Sequence, residues 1–282
     1  LLFPPSLPVI LYSIVASVPA DALYLAGLVP GALLVVLVAA YGIWVGKRLT
    51  KAGKKPQPFG AREALASAWA AKWELFLPVF VVALFASGKA SMVEASAAAF
   101  AYAVVVECFV MKDIPFFAKL PEVLLKAAAL MGAVLLLLSI AMGLTSWLVD
   151  AQVPGKLLEA VKTHIHSPLV FLLVLNVLLL VLGSVLEIYS AIVILAPLVT
   201  PMAAAFGIDP VHLGVIFLAN LELGFLFPPV GLNLFLSSSR FGKPLTSLYR
   251  HVVPFLVILG IGVLLITYVP AMSLGVVKLL GK

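Results

Sequence analysis

The chain has 282 residues, 64% of them hydrophobic and only 11% charged, with a mean hydropathy of +1.23. A soluble domain of this length cannot hide so much apolar surface, so the composition excludes that class and points to a polytopic membrane protein. The net charge of +6 does not indicate nucleic acid, because the basic residues fall in short loops, where the positive-inside rule puts them. The single cysteine, Cys108, excludes a disulfide within these residues.

In chain order, Leu1–Ala20 opens with LLFPPSLPVILYS and reads as the second half of a broken helix followed by a short loop, with Pro4, Pro5 and Ser6 at the break. Leu1 falls in mid-motif and no initiator Met precedes it, so the sequence is expected to be an N-terminally truncated portion. Leu23–Val45 meets the length of a spanning helix, roughly 20 apolar residues. Lys47–Pro58 follows as a basic cytoplasmic loop carrying Lys47, Arg48, Lys51, Lys54 and Lys55. Gly60–Glu74 sets Trp69 and Trp73 among Ala, Lys, Arg and Glu, and reads as one helix lying in the membrane interface or as a plain loop helix.

Leu75–Val110 is apolar but interrupted by GKASMVEASA at Gly88–Ala97. Glu94 and Glu107 are expected to pair with nearby loop Lys or Arg, and Cys108 to serve packing. Met111–Lys126 reads as a second interfacial segment and Leu124–Val149 as a span. DAQVPGKLLEAVKTHIHSP is a polar excursion, read as a solvated loop; its two histidines, His164 and His166, are too few for a metal site.

Pro168–Ala204 carries GSVLEIYS at Gly183–Ser190, and Pro197 and Pro201 beyond it. Helix, small polar tip and helix predict a re-entrant hairpin. GIDPVHLGVIFLANLELGFLFPPVGLNLF then reads as a half-helix, a break and a second half-helix, and Val252–Val269 as the last span. Strand-like alternation is absent, so the predicted fold is all-α.

The break is repeated. FLFPPVGLNLFLS begins 224 residues after LLFPPSLPVILYS, and at that offset Val29-Pro30 aligns with Val253-Pro254. The basic loop follows the long helix of the first copy, whereas Arg240, Lys243 and Arg250 precede that of the second. With both loops cytoplasmic, the copies are inverted relative to each other, although Lys278 and Lys282 run against this. Inverted repeats broken at corresponding points characterise secondary transporters. Proline removes a backbone donor and clashes with the preceding turn. The carbonyls and N–H groups it frees are tolerable at membrane depth only against protein, water or a ligand. A single Pro-Pro is equally readable as a kink; the matched pair favours a site.

Polar groups within the membrane are candidates for function. Gly183, Ser184, Glu187, Tyr189 and Ser190 mark the hairpin tip. Asn220, Glu222, Gly224, Phe227, Pro228, Val230, Gly231 and Asn233 lie at the break, and Asn176 lies in the helix entering the hairpin. Asn220 and Glu222 are two apart and cannot share a helical face. For Asn220 and Asn233, contact with an ion or substrate competes with helix–helix hydrogen bonding. No H-E-x-x-H, G-x-S-x-G, paired-carboxylate or P-loop pattern suggests an enzyme or an ATP-driven pump.

PPSLPVILYSIVA, VEASAAAFAYA, GIDPVHLGVIFLANLELGFLFPPVGLNLF and LLITYVPAMSL occur in this order. Through them the chain resembles, over its whole length, the C-terminal portion of the large membrane (M-type) subunit of tripartite ATP-independent periplasmic (TRAP) transporters. The resemblance implies an elevator-type secondary transporter of the bacterial inner membrane, driven by sodium and needing no cofactor. It implies a small membrane (Q-type) partner subunit, a periplasmic solute-binding protein, and an organic anion such as a C4-dicarboxylate or sugar acid as substrate. Residues 1–45 and 167–282 would then belong to the moving transport domain, and residues 46–166 to loop and scaffold. Two sodium sites are implied, one at each pairing of hairpin and break; the elements of the second are all here and those of the first only in part. Three positions depart from the family pattern: Phe227 replaces a frequent Thr before Pro-Pro, Glu187 replaces an Asp at the tip, and Val93-Glu94-Ala95 stands for T-E-A. The first removes a side-chain oxygen from the site, leaving backbone carbonyls; the second enlarges the tip carboxylate. The rival readings are a sodium–carboxylate symporter that needs no binding protein, and a non-transporting assembly factor or channel.

Overall fold

The computed structural model describes residues 1–4, 6–51, 60–86, 91–228 and 231–280. Pro5 and Val230 lie outside the described residues, as do Lys54, Lys55, Pro58, Lys89, Pro229 and Lys282. Helices make up the fold, and no strand occurs among the described residues. Among the described residues five helices are long and apolar enough to cross a membrane: Ala20–Arg48, Val93–Val110, Pro168–Val185, Ile188–Ala205 and Leu245–Tyr268. The protein is an all-α, multi-pass membrane protein. It divides into two compact units, residues 1–42 with 136–282, and residues 43–135.

The first unit is built around α10 (Pro210–Gly224). Apart from Val211 and Glu222, every α10 residue after Pro210 is buried, as a helix that is apolar on all sides must be. Against α10 pack α1 (Leu7–Val15), α8 (Pro168–Val185), α9 (Ile188–Ala205), α12 (Leu245–Tyr268) and α13 (Ala271–Leu279). Tyr12 of α1 lies 5.1 Å, ring to ring, from Phe217 of α10. Helices α8 and α9 are joined only by Leu186 and Glu187. Phe206, just past α9, stacks on Phe171 near the start of α8 with centroids 4.6 Å apart. The second arm therefore returns to the level where the first began, which is the predicted hairpin.

The repeated sequence gives repeated elements. Helix α1 begins just after the first Pro-Pro and α11 (Leu232–Phe241) just after the second. Each is followed by a long helix, α2 (Ala20–Lys51) or α12, with a proline inside it at the corresponding place, Pro30 or Pro254. Both prolines continue a helix whose apolar faces are secured by packing rather than by every backbone bond.

The second unit corrects two expectations. The interfacial segment is not one helix: α3 (Ala61–Ala70) and α4 (Lys72–Ala86) meet at Ala71 with a bend of 69°. Trp73 and Glu74 thus belong to α4, and Lys72 lies over both the Trp69 and Trp73 rings, at 4.5 and 5.3 Å. Among the described residues Glu94 pairs with no loop cation. It closes a capping box at the start of α5 (Met92–Val105), accepting from Ser91 N–H at 2.7 Å while Glu94 N–H donates to Ser91 Oγ at 3.3 Å. Within this unit Phe76, Phe80 and Tyr102 cluster, and the Tyr102 hydroxyl donates to the Trp73 carbonyl at 2.9 Å. Val106–Val110 is π-helical and includes the buried Cys108.

The polar excursion before the hairpin is likewise more ordered than a solvated loop. Val153–His164 forms α7 after α6 (Leu120–Asp150), and its half-buried residues Val153, Leu158 and Val161 recur at helical spacing. His164 caps its own last turn by contact with the Ala160 carbonyl at 3.0 Å. No group of three or more metal-ligating side chains occurs among the described residues.

Candidate functional site: hairpin tip and helix break

Helix α10 ends at Gly224 and α11 begins at Leu232. The backbone between them is shaped by short-range bonds: Leu226 N–H donates to Leu223 O at 3.0 Å and Phe227 N–H to Gly224 O at 2.9 Å. Gly231 restarts the chain with φ of +44°, a region glycine enters without a steric penalty. Asn233 N–H then reaches back to Phe225 O at 3.1 Å, and Leu234 N–H to Gly231 O at 2.8 Å.

Two contacts bring the hairpin tip to this break. Gly231 N–H donates to Ser184 O at 3.2 Å. Gly183 and Gly224 meet backbone to backbone: a Cβ on Gly224 would lie 2.7 Å from Gly183 C and 3.0 Å from Gly183 O. The approach requires glycine at 224, whereas a Cβ on Gly183 would meet Gly224 Cα at 3.6 Å and press instead on Leu221 at 3.0 Å. A Cβ on Gly231 would stand 2.9 Å from Phe225 O and 3.0 Å from Phe227 O. Gly183, Ser184, Gly224 and Gly231 are all buried, while Phe227, Pro228 and Asn233 are half-buried. Carbonyl oxygens of Ser184, Phe225 and Phe227 are therefore drawn toward one glycine, a donor set of the kind hard cations take.

Glu187 sits at the tip but is turned to its own helix. It is the N-cap of α9, accepting from Tyr189 N–H at 3.0 Å and Ser190 N–H at 3.3 Å through Oε2. A carboxylate there satisfies helix-terminal donors and complements the helix dipole. Ser190 thus enters through its backbone.

At the first break, Pro4 and Ser6 are buried. The Tyr24 hydroxyl of α2 bridges the Ser6 backbone, donating to its carbonyl at 2.7 Å and accepting from its N–H at 3.0 Å. The Ser6 hydroxyl oxygen is buried without a hydrogen-bond partner.

Asn220 points elsewhere than the tip–break contact. Its Nδ2 donates to Asn176 Oδ1 at 2.6 Å and to Ile216 O at 2.8 Å. Thr267 Oγ1 donates to the same Asn176 oxygen at 3.1 Å. The Thr267 carbonyl meets His212 Nε2 at 3.1 Å, and His212 Nδ1 meets Ser273 Oγ at 3.1 Å. Thr267, His212 and Ser273 escape a reading by motif; their signal is being polar inside apolar helices. Glu222, two residues from Asn220, is only half-buried and faces a different way.

The comparisons with known proteins agree along the whole chain. The family model described as tripartite ATP-independent periplasmic transporter, DctM component, matches residues 1–272. The chain is 37% identical over 281 residues to the C4-dicarboxylate TRAP transporter large permease protein DctM of Pseudomonas aeruginosa, covering 100% of this chain and 65% of that protein. It is 33% identical to the sialic acid TRAP transporter large permease protein SiaM of Vibrio cholerae, covering 97% of this chain and 63% of that one. It is 32% identical to the isethionate TRAP transporter permease protein DctMQ of Oleidesulfovibrio alaskensis, with 97% and 43% covered. The chain thus spans less than two thirds of these relatives' length. The family is one of transporter permeases rather than enzymes, and the chain belongs to it: it is a member of the DctM-component family of TRAP transporters.

Proposed function

We propose that this chain is part of a sodium-coupled secondary transporter that carries a carboxylate-bearing organic anion across the bacterial inner membrane. The substrate is delivered by a periplasmic solute-binding protein, and a small membrane subunit completes the permease. The relatives' names, C4-dicarboxylate and sialic acid among them, support an organic anion. The observation that carries the sodium reading is the convergence of the Ser184, Phe225 and Phe227 carbonyls on Gly231 at the break between α10 and α11. Unwound backbone of this kind coordinates coupling ions in secondary transporters. Phe227 brings no side-chain oxygen, so the backbone supplies those ligands. The repeated α1–α2 and α11–α12 pattern supports paired repeats, and with them an elevator-type movement of residues 1–45 and 167–282 against residues 46–166.

The test is uptake in proteoliposomes by the complete transporter, with sodium and the binding protein each present or omitted. Uptake that needs both is the expected result. Full-rate uptake without the binding protein would replace this reading with a binding-protein-independent symporter, and uptake indifferent to sodium would remove the ion from the tip–break site.

A further inference from the structure

Three helices of the first unit, α8, α10 and α12, meet through one side chain outside the tip–break contact. Asn176 of α8 is buried, 6% exposed. Its Oδ1 accepts from Asn220 of α10 and from Thr267 of α12, and its Nδ2 donates to Leu172 O at 2.7 Å. Through Thr267 and its carbonyl the chain of bonds continues to His212 of α10 and Ser273 of α13, both buried. A second tie lies near the start of α8, where the Tyr268 hydroxyl donates to Leu169 O at 3.0 Å.

The geometry of α8 gives this cluster a use beyond gluing helices. Leu172, Asn176, Leu179 and Ser184 are all on its buried face. From Asn176 to Ser184 is eight residues, about 12 Å of helix at 1.5 Å per residue. The rotation and height of α8, set at Asn176, therefore decide where the Ser184 carbonyl stands relative to Gly231. On α10, Asn220 likewise lies one turn before Gly224, where the paired glycines meet. A sliding or rotating α8 would separate both contacts at once.

We propose that Asn176 is a positioning residue for the ion site: it sets the register of the hairpin arm α8 on α10 and α12, and so holds the tip carbonyls in place for the cation. It need not touch the ion. This inference rests on the sodium reading given above.

Each of the two donors to Asn176 has a second acceptor, Ile216 O for Asn220 and Val263 O for Thr267. Asn176→Leu therefore leaves Thr267 Oγ1 its bond to Val263 O and strands one of the two Asn220 Nδ2 hydrogens while the other keeps Ile216 O, a loss of one buried donor's partner that the fold should survive. In the complete transporter, reconstituted with its partners, Asn176→Leu should raise the sodium concentration for half-maximal uptake on the order of tenfold, the scale of one lost hydrogen bond. The melting temperature should fall by no more than a few degrees, the scale of one unpaired buried donor. Thr267→Val should raise the midpoint in the same direction, and Thr267→Ser, which keeps the hydroxyl, should restore it. An unchanged sodium midpoint in Asn176→Leu overturns the proposal, as does a loss of uptake that merely follows a loss of melting temperature. If Asn176→Leu does not fold, the Thr267 pair decides: equal midpoints for Val and Ser overturn it. Wild-type uptake indifferent to sodium would instead overturn the underlying reading, so the two failures are distinguishable.

Discussion

Gly224 and Gly183 meet backbone to backbone, close enough that a methyl group on Gly224 would lie 2.7 Å from the Gly183 carbonyl carbon. Flexible side chains cannot yield there, because the atoms in the way are main chain. Gly224→Ala should therefore part the hairpin tip from the break, at a cost of about 1–3 kcal/mol of stability for overpacking. Transport should fall at least about tenfold, since 1.4 kcal/mol already corresponds to that factor. Uptake and thermal unfolding of the same purified variant check it; wild-type values in both would show that the contact is not needed.

Asn233 begins the second half-helix, with its backbone N–H engaged by Phe225 O and its side chain half-buried beside the break. Its amide can offer an oxygen to a cation or an N–H to a carboxylate. Asn233→Ala should weaken sodium dependence or substrate coupling by about 1.5–3 kcal/mol, roughly ten- to a hundredfold in affinity, while leaving membrane expression intact. Gly231→Val should do more, since it combines a positive φ with collision against two carbonyl oxygens. Uptake against sodium concentration is the measurement. If both variants keep the wild-type midpoint and rate, the break is a kink only.

Glu187 caps α9 with its side chain. Glu187→Ala should cost about 0.5–2 kcal/mol, the ordinary loss on removing an N-cap. Glu187→Asp, a shorter carboxylate at a position that favours Asp, should recover most of it. Melting temperatures of the two variants in detergent decide this; a wild-type value for Glu187→Ala would mean that the cap contributes nothing.

The proposed inversion of the two copies makes a topological prediction. Lys51 and Lys243 should face the cytoplasm and Asp209 the opposite side. In a Cys108→Ala background, single cysteines at the three positions can be probed with an impermeant maleimide. Cysteines at 51 and 243 that label from opposite sides would exclude the inversion.

The membrane class, the all-α fold and the family were legible in the sequence because each rests on local or cumulative properties. Long apolar runs must become helices in lipid, since their backbone groups have no other partner. The Pro-Pro pair marks where a helix breaks, and it recurs 224 residues on, although single prolines such as Pro30 and Pro254 lie inside helices. Glycine at 231 foretold a close approach because nothing bulkier occupies that backbone region. The α7 helix was also encoded, in the spacing of Val153, Leu158 and Val161, but the charged residues between them obscured it.

Tertiary structure decided which polar groups meet. Asn176 and Asn220 are 44 residues apart and His212 and Ser273 are 61 apart, and no periodicity relates them. Whether Asn220 turns to the tip–break contact or to another helix depends on how α8, α10 and α12 are rotated and registered, and packing of the whole unit sets that. The same holds for Glu187 and Glu94: a carboxylate near a helix start is visible in sequence, but whether it caps its own helix or binds something else depends on which groups the fold brings within reach. Local chemistry determined the elements and their breaks; the pairing across them is a property of the packed whole.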